Sequence, residues 1–146
     1  MHILIINGPN LNLLGSREPS IYGNKSYKDL EKYLHECAQS LAITIEIHQS
    51  NLEGIIIDLL HYAKHKNFQA VILNAAAYSH YSYAIYDAIK AINLPVINVH
   101  LTDPSNRSEA FRKVDVLKAA SLKTFKGEGF ESYKKALIYC KKEVKA

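Results

Sequence analysis

The chain has 146 residues and a mass of 16.5 kDa, with 48% hydrophobic and 22% charged residues, a balance that suits one domain around its own core and excludes a disordered or fibrous chain. Formal charge is +4, with seven Lys/Arg against eight Asp/Glu in residues 1–100 and eleven against six in residues 101–146. The C-terminal lysines alternate with acids at helical spacing instead of clustering with aromatics, so nucleic acid is not an expected partner, while a small anionic substrate stays open.

Taken in order, the first hundred residues carry four short runs rich in branched apolar side chains, at 2–7, 43–49, 70–74 and 95–100. Continuous apolarity at that length predicts strands buried on both faces. Ser26 is placed to cap a helix on which Leu30, Tyr33, Leu34, Cys37 and Leu41 share a face, and Asn51 precedes a second with Ile55, Leu59, Tyr62 and Ala63 aligned. A third is predicted over about 79–92 with Ser79 as its cap. Beyond His100 the pattern gives a short helix near 106–113, a fifth strand at 121–125 and a last helix over about 130–144. Five strands alternating with helices predict an α/β domain, a doubly wound parallel sheet in three layers, with residues 1–146 as one unit. Cys37 and Cys140 fall in separate helices without metal-like spacing and read as buried thiols of a reducing compartment. No apolar run reaches the roughly 20 residues of a membrane span and no charged leader opens the chain, so no membrane partner and a cytoplasmic location are expected.

In doubly wound sheets ligands bind beyond the carboxyl ends of the strands, and here those ends are polar: Asn7-Gly8-Pro9-Asn10, Gln49-Ser50-Asn51, Asn74, and Asn98-Val99-His100. The loop at 8–25 is long enough to read as an active-site lid. It holds Asn10, a hydrogen-bonding amide; Arg17, a permanent cation; and Tyr22, a phenol whose ionisation a nearby guanidinium favours, so that the pair can form a general base. A plain surface loop, with Tyr22 packing and Arg17 pairing with Glu18, fits the same residues. His80 is either polar surface or a hydrogen-bonding group. Tyr78, Tyr81 and Tyr86 cannot all face the core, which points to contact with a ligand or another subunit. His100 ends a buried strand at the mouth of the crevice, where a general acid belongs. Leu101 and Thr102 offer backbone N–H groups behind it, and Arg107 and Arg112 offer bidentate carboxylate binding. No phosphate loop, paired acids, metal-ligand spacing or Ser/Cys nucleophile motif is present, so neither cofactor nor metal is expected.

Through INGPNLNLLGSREPSIYG at 6–23, QSNLEG at 49–54, NAAAYSHYSYAIYDAI at 74–89, NVHLT at 98–102 and GEGFESYKKAL at 127–137, the chain resembles the type II 3-dehydroquinate dehydratases over about residues 2–139. The resemblance implies a flavodoxin-like fold, a homo-oligomer that is a dodecamer of trimers, and a small-molecule substrate, 3-dehydroquinate. The implied reaction is anti elimination of water through an enolate, giving 3-dehydroshikimate in the shikimate pathway, with no metal and no Schiff-base lysine. It makes Tyr22 the base, Arg17 the cation that ionises it, Asn10 the enolate-stabilising group and His100 the acid. It makes Asn74 and His80 contacts to substrate hydroxyls, Leu101 and Thr102 carboxylate-binding amides, Arg112 a substrate contact and Asp87 a contact across a subunit boundary. The departures cluster: Asn98 stands where a Glu is usual two residues before the acidic His, Ser105 replaces a second His, one extra residue separates Arg107 from Phe111, and Tyr86 replaces an Arg. Loss of the carboxylate at 98 predicts a less readily charged His100, reduced activity with a more acidic optimum, and a gain on Asn98→Glu. The shifted register leaves Arg107 as well as Arg112 a candidate for the substrate carboxylate. The alternative reading is a weakly active or silent member that binds a related hydroxy acid or serves in assembly or regulation.

Overall fold

The structure, a computed structural model, describes residues 1–16 and 18–145, and of Tyr22 the backbone only. Its strands are β1 (His2–Asn7), β2 (Thr44–Gln49), β3 (Ala70–Asn74), β4 (Val96–His100) and β5 (Lys123–Lys126), all parallel, in the order β2-β1-β3-β4-β5. The order reverses between β1 and β3, which opens a crevice at the carboxyl ends of those strands. Register sets Gln49, Asn7 and Asn74 side by side across three strands and places Asn98 level with Leu73.

The apolar runs form strands because both faces of the sheet are covered. Ile3, Ile5, Ile72, Ile97 and Val99 pack with one cluster, under α2 (Tyr27–Ser40) and α5 (Phe130–Glu143). Leu4, Ile6, Val71, Leu73 and Val96 pack with the other, under α3 (Glu53–His65) and α4 (Tyr83–Ile92). Each fully buried Ile or Leu is worth about 1.5–3 kcal/mol, so the two clusters supply the bulk of what opposes chain entropy. Ser26 caps α2 through a reciprocal pair with Asp29, Asp29 N–H to Ser26 Oγ at 3.1 Å and Ser26 N–H to Asp29 Oδ2 at 2.8 Å. Cys37 and Cys140 are free, buried thiols in the α2 and α5 layer, and burial pushes the Cys140 thiol up to about 12, which makes it inert. Among the described residues no helix is long and apolar enough to cross a membrane.

Three local expectations need correction. The third helix does not begin near Ser79: Ala76–His80 is a 3-10 turn in which Ser79 Oγ donates to Ala76 O, and Ser82 caps α4 by accepting from Ile85 N at 3.0 Å. α3 buries Ile56, Leu60 and Ala63 with Leu59 and Tyr62 half-buried against the same core, so of the expected stripe only Ile55 is left exposed, and Asn51 is no cap for the helix. The helix expected near 106–113 is two 3-10 turns, Pro104–Asn106 and Ala110–Lys113, with Arg107 extended between them, because this polar stretch has no apolar stripe to bury. The loop at 8–25 contains a 3-10 turn at Leu11–Leu13 and the single helical turn α1 (Pro19–Tyr22).

Candidate active site

The carboxyl ends of β1 and β3 are held together by neutral polar groups. Tyr133 of α5, fully buried, donates its hydroxyl to Asn7 Oδ1 at 2.6 Å and accepts from Asn74 Nδ2 at 2.8 Å. Asn74 Oδ1 accepts Ala76 N–H at 3.2 Å, and Asn7 Nδ2 donates to Tyr27 OH at 3.3 Å. The Asn74 amide is thus turned inward, with one N–H beyond those it spends on Tyr133. Gly8 runs so close to β3 that its N–H donates to Asn74 O at 2.7 Å, and a Cβ there would meet the Ala75 carbonyl at 2.7 Å. Only glycine permits that approach.

The first loop is clipped to the end of β2. Asn51 Oδ1 accepts from Asn10 N at 3.0 Å and from Gln49 Nε2 at 3.1 Å, while Gln49 Nε2 also reaches Gly8 O at 3.2 Å. This gives Asn51 and Gln49 an anchoring role and leaves the Asn10 side chain at the exposed rim. Asn10 and Ala76 both hold positive φ, 68° and 51°, on opposite walls of one cleft. For non-glycine residues such backbone costs about 1–3 kcal/mol and is characteristic of functional sites. Arg17 and the side chain of Tyr22 lie outside the described residues.

That cleft is lined by Asn10, Ala76, His80, Thr102, Arg107 and Arg112. His80 Nδ1 donates to Val114 O at 2.7 Å; since a carbonyl only accepts, Nδ1 carries the proton and Nε2 is the nitrogen left for a ligand. Phe111 packs edge-on against the His80 ring and beneath the Arg112 guanidinium, 4.8 Å from its centroid. Arg112 Nε is buried without a hydrogen bond among the described residues and lies 3.7 Å from Glu109, while Arg107 lies 3.5 Å from Glu18 and 3.7 Å from Glu109. The structure therefore brings both arginines to the cleft. Glu109 is held below its ordinary range by its own backbone N–H and then by the two guanidiniums. Leu101 is buried against the start of α5, its carbonyl accepting Gly129 N–H at 2.8 Å. Asp87 is exposed on α4, away from the cleft of its own chain. A larger hollow at the opposite end of β4, lined by Lys90, Asn93, Pro95 and Leu122, contains none of the candidate residues.

At the end of β4, Asn98 and His100 point to the same face, two residues apart, and both meet Asp115. Asp115 Oδ2 accepts from Asn98 Nδ2 at 2.7 Å and from His100 Nε2 at 3.0 Å. Burial works to raise the Asp115 carboxyl, but the hydrogen bond and charge of His100, with help from Asn98 and Leu117 N–H, hold it below the usual carboxylate range. The expectation that His100 stands without a carboxylate beside it is therefore wrong. The anion comes from fifteen residues downstream. Asp115, Tyr133, Gln49 and Asn51 were not singled out by sequence reasoning as site residues; the GEGFESY and QSN segments were visible, whereas nothing local marks Asp115.

The family model for class II dehydroquinases matches residues 1–141. A 3-dehydroquinate dehydratase of Caldicellulosiruptor bescii is 49% identical over 142 residues, 97% of each chain, and one of Bacillus licheniformis is 47% identical over 138 residues, 94% of each. The crystal structure of a type II dehydroquinase from Butyrivibrio crossotus superposes with a TM-score of 0.92 at 40% identity, covering 94% of this chain and 95% of that one. With a family match running nearly its whole length and a fold that superposes on that of a type II dehydroquinase, the chain belongs to the class II dehydroquinase family.

Proposed function

We propose that this chain is a hydro-lyase that removes water from 3-dehydroquinate to give 3-dehydroshikimate, the shikimate-pathway step for which its relatives are named. The observation that carries the proposal is the cleft at the ends of β1, β3 and β4, where the Asn10 amide, His80, Thr102 and two arginines converge, with the carboxylate-paired His100 lining a small hollow on the far side of His80 and Arg112. Tyr22, ionised with the help of Arg17, takes the C2 proton, and the electron pair moves onto the carbonyl oxygen as an enolate that Asn10 stabilises through water. His100 then protonates the C1 hydroxyl. The C1–O bond breaks as the enolate collapses, and water departs. Asn74 and His80 contact substrate hydroxyls, the Leu101 and Thr102 amides hold the carboxylate, and Arg112 provides the adjacent cation.

Asp87 serves a neighbouring subunit in a homo-oligomer, a dodecamer of trimers. Support for an assembly comes from Leu52, Ile55, Tyr81 and Tyr83, large apolar side chains left exposed around the paired α3 and α4. The silent-member reading is not favoured: it rests on the altered 98–112 segment, yet that segment still carries Thr102, Arg107 and Arg112 to the cleft, and Asp115 supplies a carboxylate to His100.

Adding 3-dehydroquinate and following the ultraviolet absorbance of the conjugated enone tests the reaction. Rising absorbance is expected, and binding by calorimetry without product would overturn the proposal. Tyr22→Phe should abolish turnover with substrate binding nearly intact, since only the proton acceptor is lost; a variant that kept much of its rate would remove Tyr22 from the mechanism.

A further inference from the structure

Asp115 lies between the Ala110–Lys113 turn and the buried Leu117. Its Oδ1 accepts Leu117 N–H at 3.1 Å in an Asx turn, which ties the side chain to its own backbone. Its Oδ2 accepts the Asn98 and His100 donors, both from one face of β4. The orientation of Asn98 is dictated by this carboxylate, because the reversed amide would set oxygen against oxygen. Asn98 Oδ1 is consequently buried without a partner among the described residues. Leaving it so carries a free-energy cost, and what the arrangement gains is a second donor on Asp115.

We propose that Asp115 is the positioning residue for His100: its carboxylate keeps a proton on Nε2 and fixes the ring, so that Nδ1 carries the transferable proton, while Asn98 orients Asp115. The inference rests on the reading of His100 as the acid. In the step itself the Nδ1–H bond breaks, its electron pair stays on the ring, and an O–H bond forms on the departing hydroxyl. The ring returns to the neutral Nε2–H tautomer, still bonded to Asp115. A second carboxylate at 98 would face Asp115 at the distance now spanned by an amide hydrogen bond, so Asn98→Glu is a loss here, the reverse of what the sequence alone suggests.

Three measurements decide it. Nitrogen NMR of the imidazole rings, assigned by comparison with His100→Gln, should show the Nε2–H tautomer for neutral His100 and lose that preference in Asp115→Asn; an unchanged tautomer overturns the proposal whatever the kinetics. In turnover, Asp115→Asn should lower kcat about 10²-fold, inside the range a general acid supplies, with KM nearly unchanged. The effect should vanish in a His100→Gln background, and an equal loss there, or a change confined to KM, counts against positioning. Finally, Asn98→Glu and Asp115→Asn should each impair kcat, and the double variant, which moves the carboxylate from residue 115 to its hydrogen-bond partner at 98, should recover most of it; additive losses would overturn the proposal. If His100→Gln leaves kcat intact, the acid assignment fails, and the tautomer measurement still judges Asp115.

Discussion

The carboxyl ends of β1 and β3 and the carboxyl end of β4 lie in one crevice and solve the problem of buried polar groups in opposite ways. At β1 and β3, Asn7, Asn74 and Tyr133 are neutral, fully enclosed and hydrogen-bonded to one another, in a network that closes on itself. At β4, Asn98, His100 and Asp115 include titratable groups, and with Arg112 nearby they leave Asn98 Oδ1 and Arg112 Nε without a hydrogen bond among the described residues. A closed neutral network fixes the strand ends at little electrostatic risk. An open, charged one is costly to keep and is where proton transfer and anion binding are possible. The β1 and β3 ends are mainly scaffold, lending the substrate the spare Asn74 N–H, and the β4 end holds the group that moves a proton.

This contrast breaks if substitutions at the two ends have the same effect. The largest change is expected from His100→Ala, which should lower kcat by about 10²- to 10⁴-fold, roughly 3–5 kcal/mol in the barrier, while the urea midpoint falls only by what the pair with Asp115 contributes; a loss of rate that unfolding accounts for would merge the two regions. Tyr133→Phe should do the reverse. Removing the hydroxyl leaves Asn7 and Asn74 short of a partner inside the core, a loss of about 2–4 kcal/mol of stability, while kcat at a temperature where the variant is folded stays near that of the parent. If its kcat collapses, the neutral network belongs to the chemistry after all.

The smallest and sharpest effect is in acid. The Asp115 carboxyl is held below its ordinary 3.8, so its contribution to stability is complete above that value and drains away as pH falls through the lower, folded-state value. The difference in urea midpoint between the parent and Asp115→Asn should therefore be full near neutrality and shrink once the pH drops below about 4. Tyr133→Phe should show no such convergence, since its partners are neutral. A gap between parent and Asp115→Asn that is independent of pH would mean that the carboxylate is not stabilised by its charge.

How much could be read beforehand follows from the range of the forces involved. The strands were legible to within a few residues, β1 and β3 at both ends, because two-sided burial writes itself into the chain as an uninterrupted apolar run. The Ser26 cap was legible because its partner Asp29 is three residues away. Ser79 was mistaken for the α4 cap because two serines flank the same turn and only the positive φ at Ala76 and the wide angle at Tyr81 decide between them. Of the stripe expected on α3, Leu59, Tyr62 and Ala63 do pack against the core, while Ile55 falls outside it because apolar side chains cover more than one side of the helix and packing centred on Ile56 and Leu60. Of the candidate site residues, Asn10, His80, Thr102, Arg107 and Arg112 meet in one cleft, as strand-end placement implied.

By itself, then, the sequence determined the parallel sheet, its two covered faces and the set of polar strand ends, since each depends on residues that are neighbours along the chain. It also carried the family motifs that name the reaction. Only the tertiary structure decided which carboxylate serves His100. Asp115 sits in an irregular stretch with no periodicity to announce it, and it reaches the ring because Leu117 is anchored in the α3 and α4 core just beyond. A pattern along the chain records burial; an ion pair between a strand end and a distant loop depends on where the loop is pinned, and that is settled by packing.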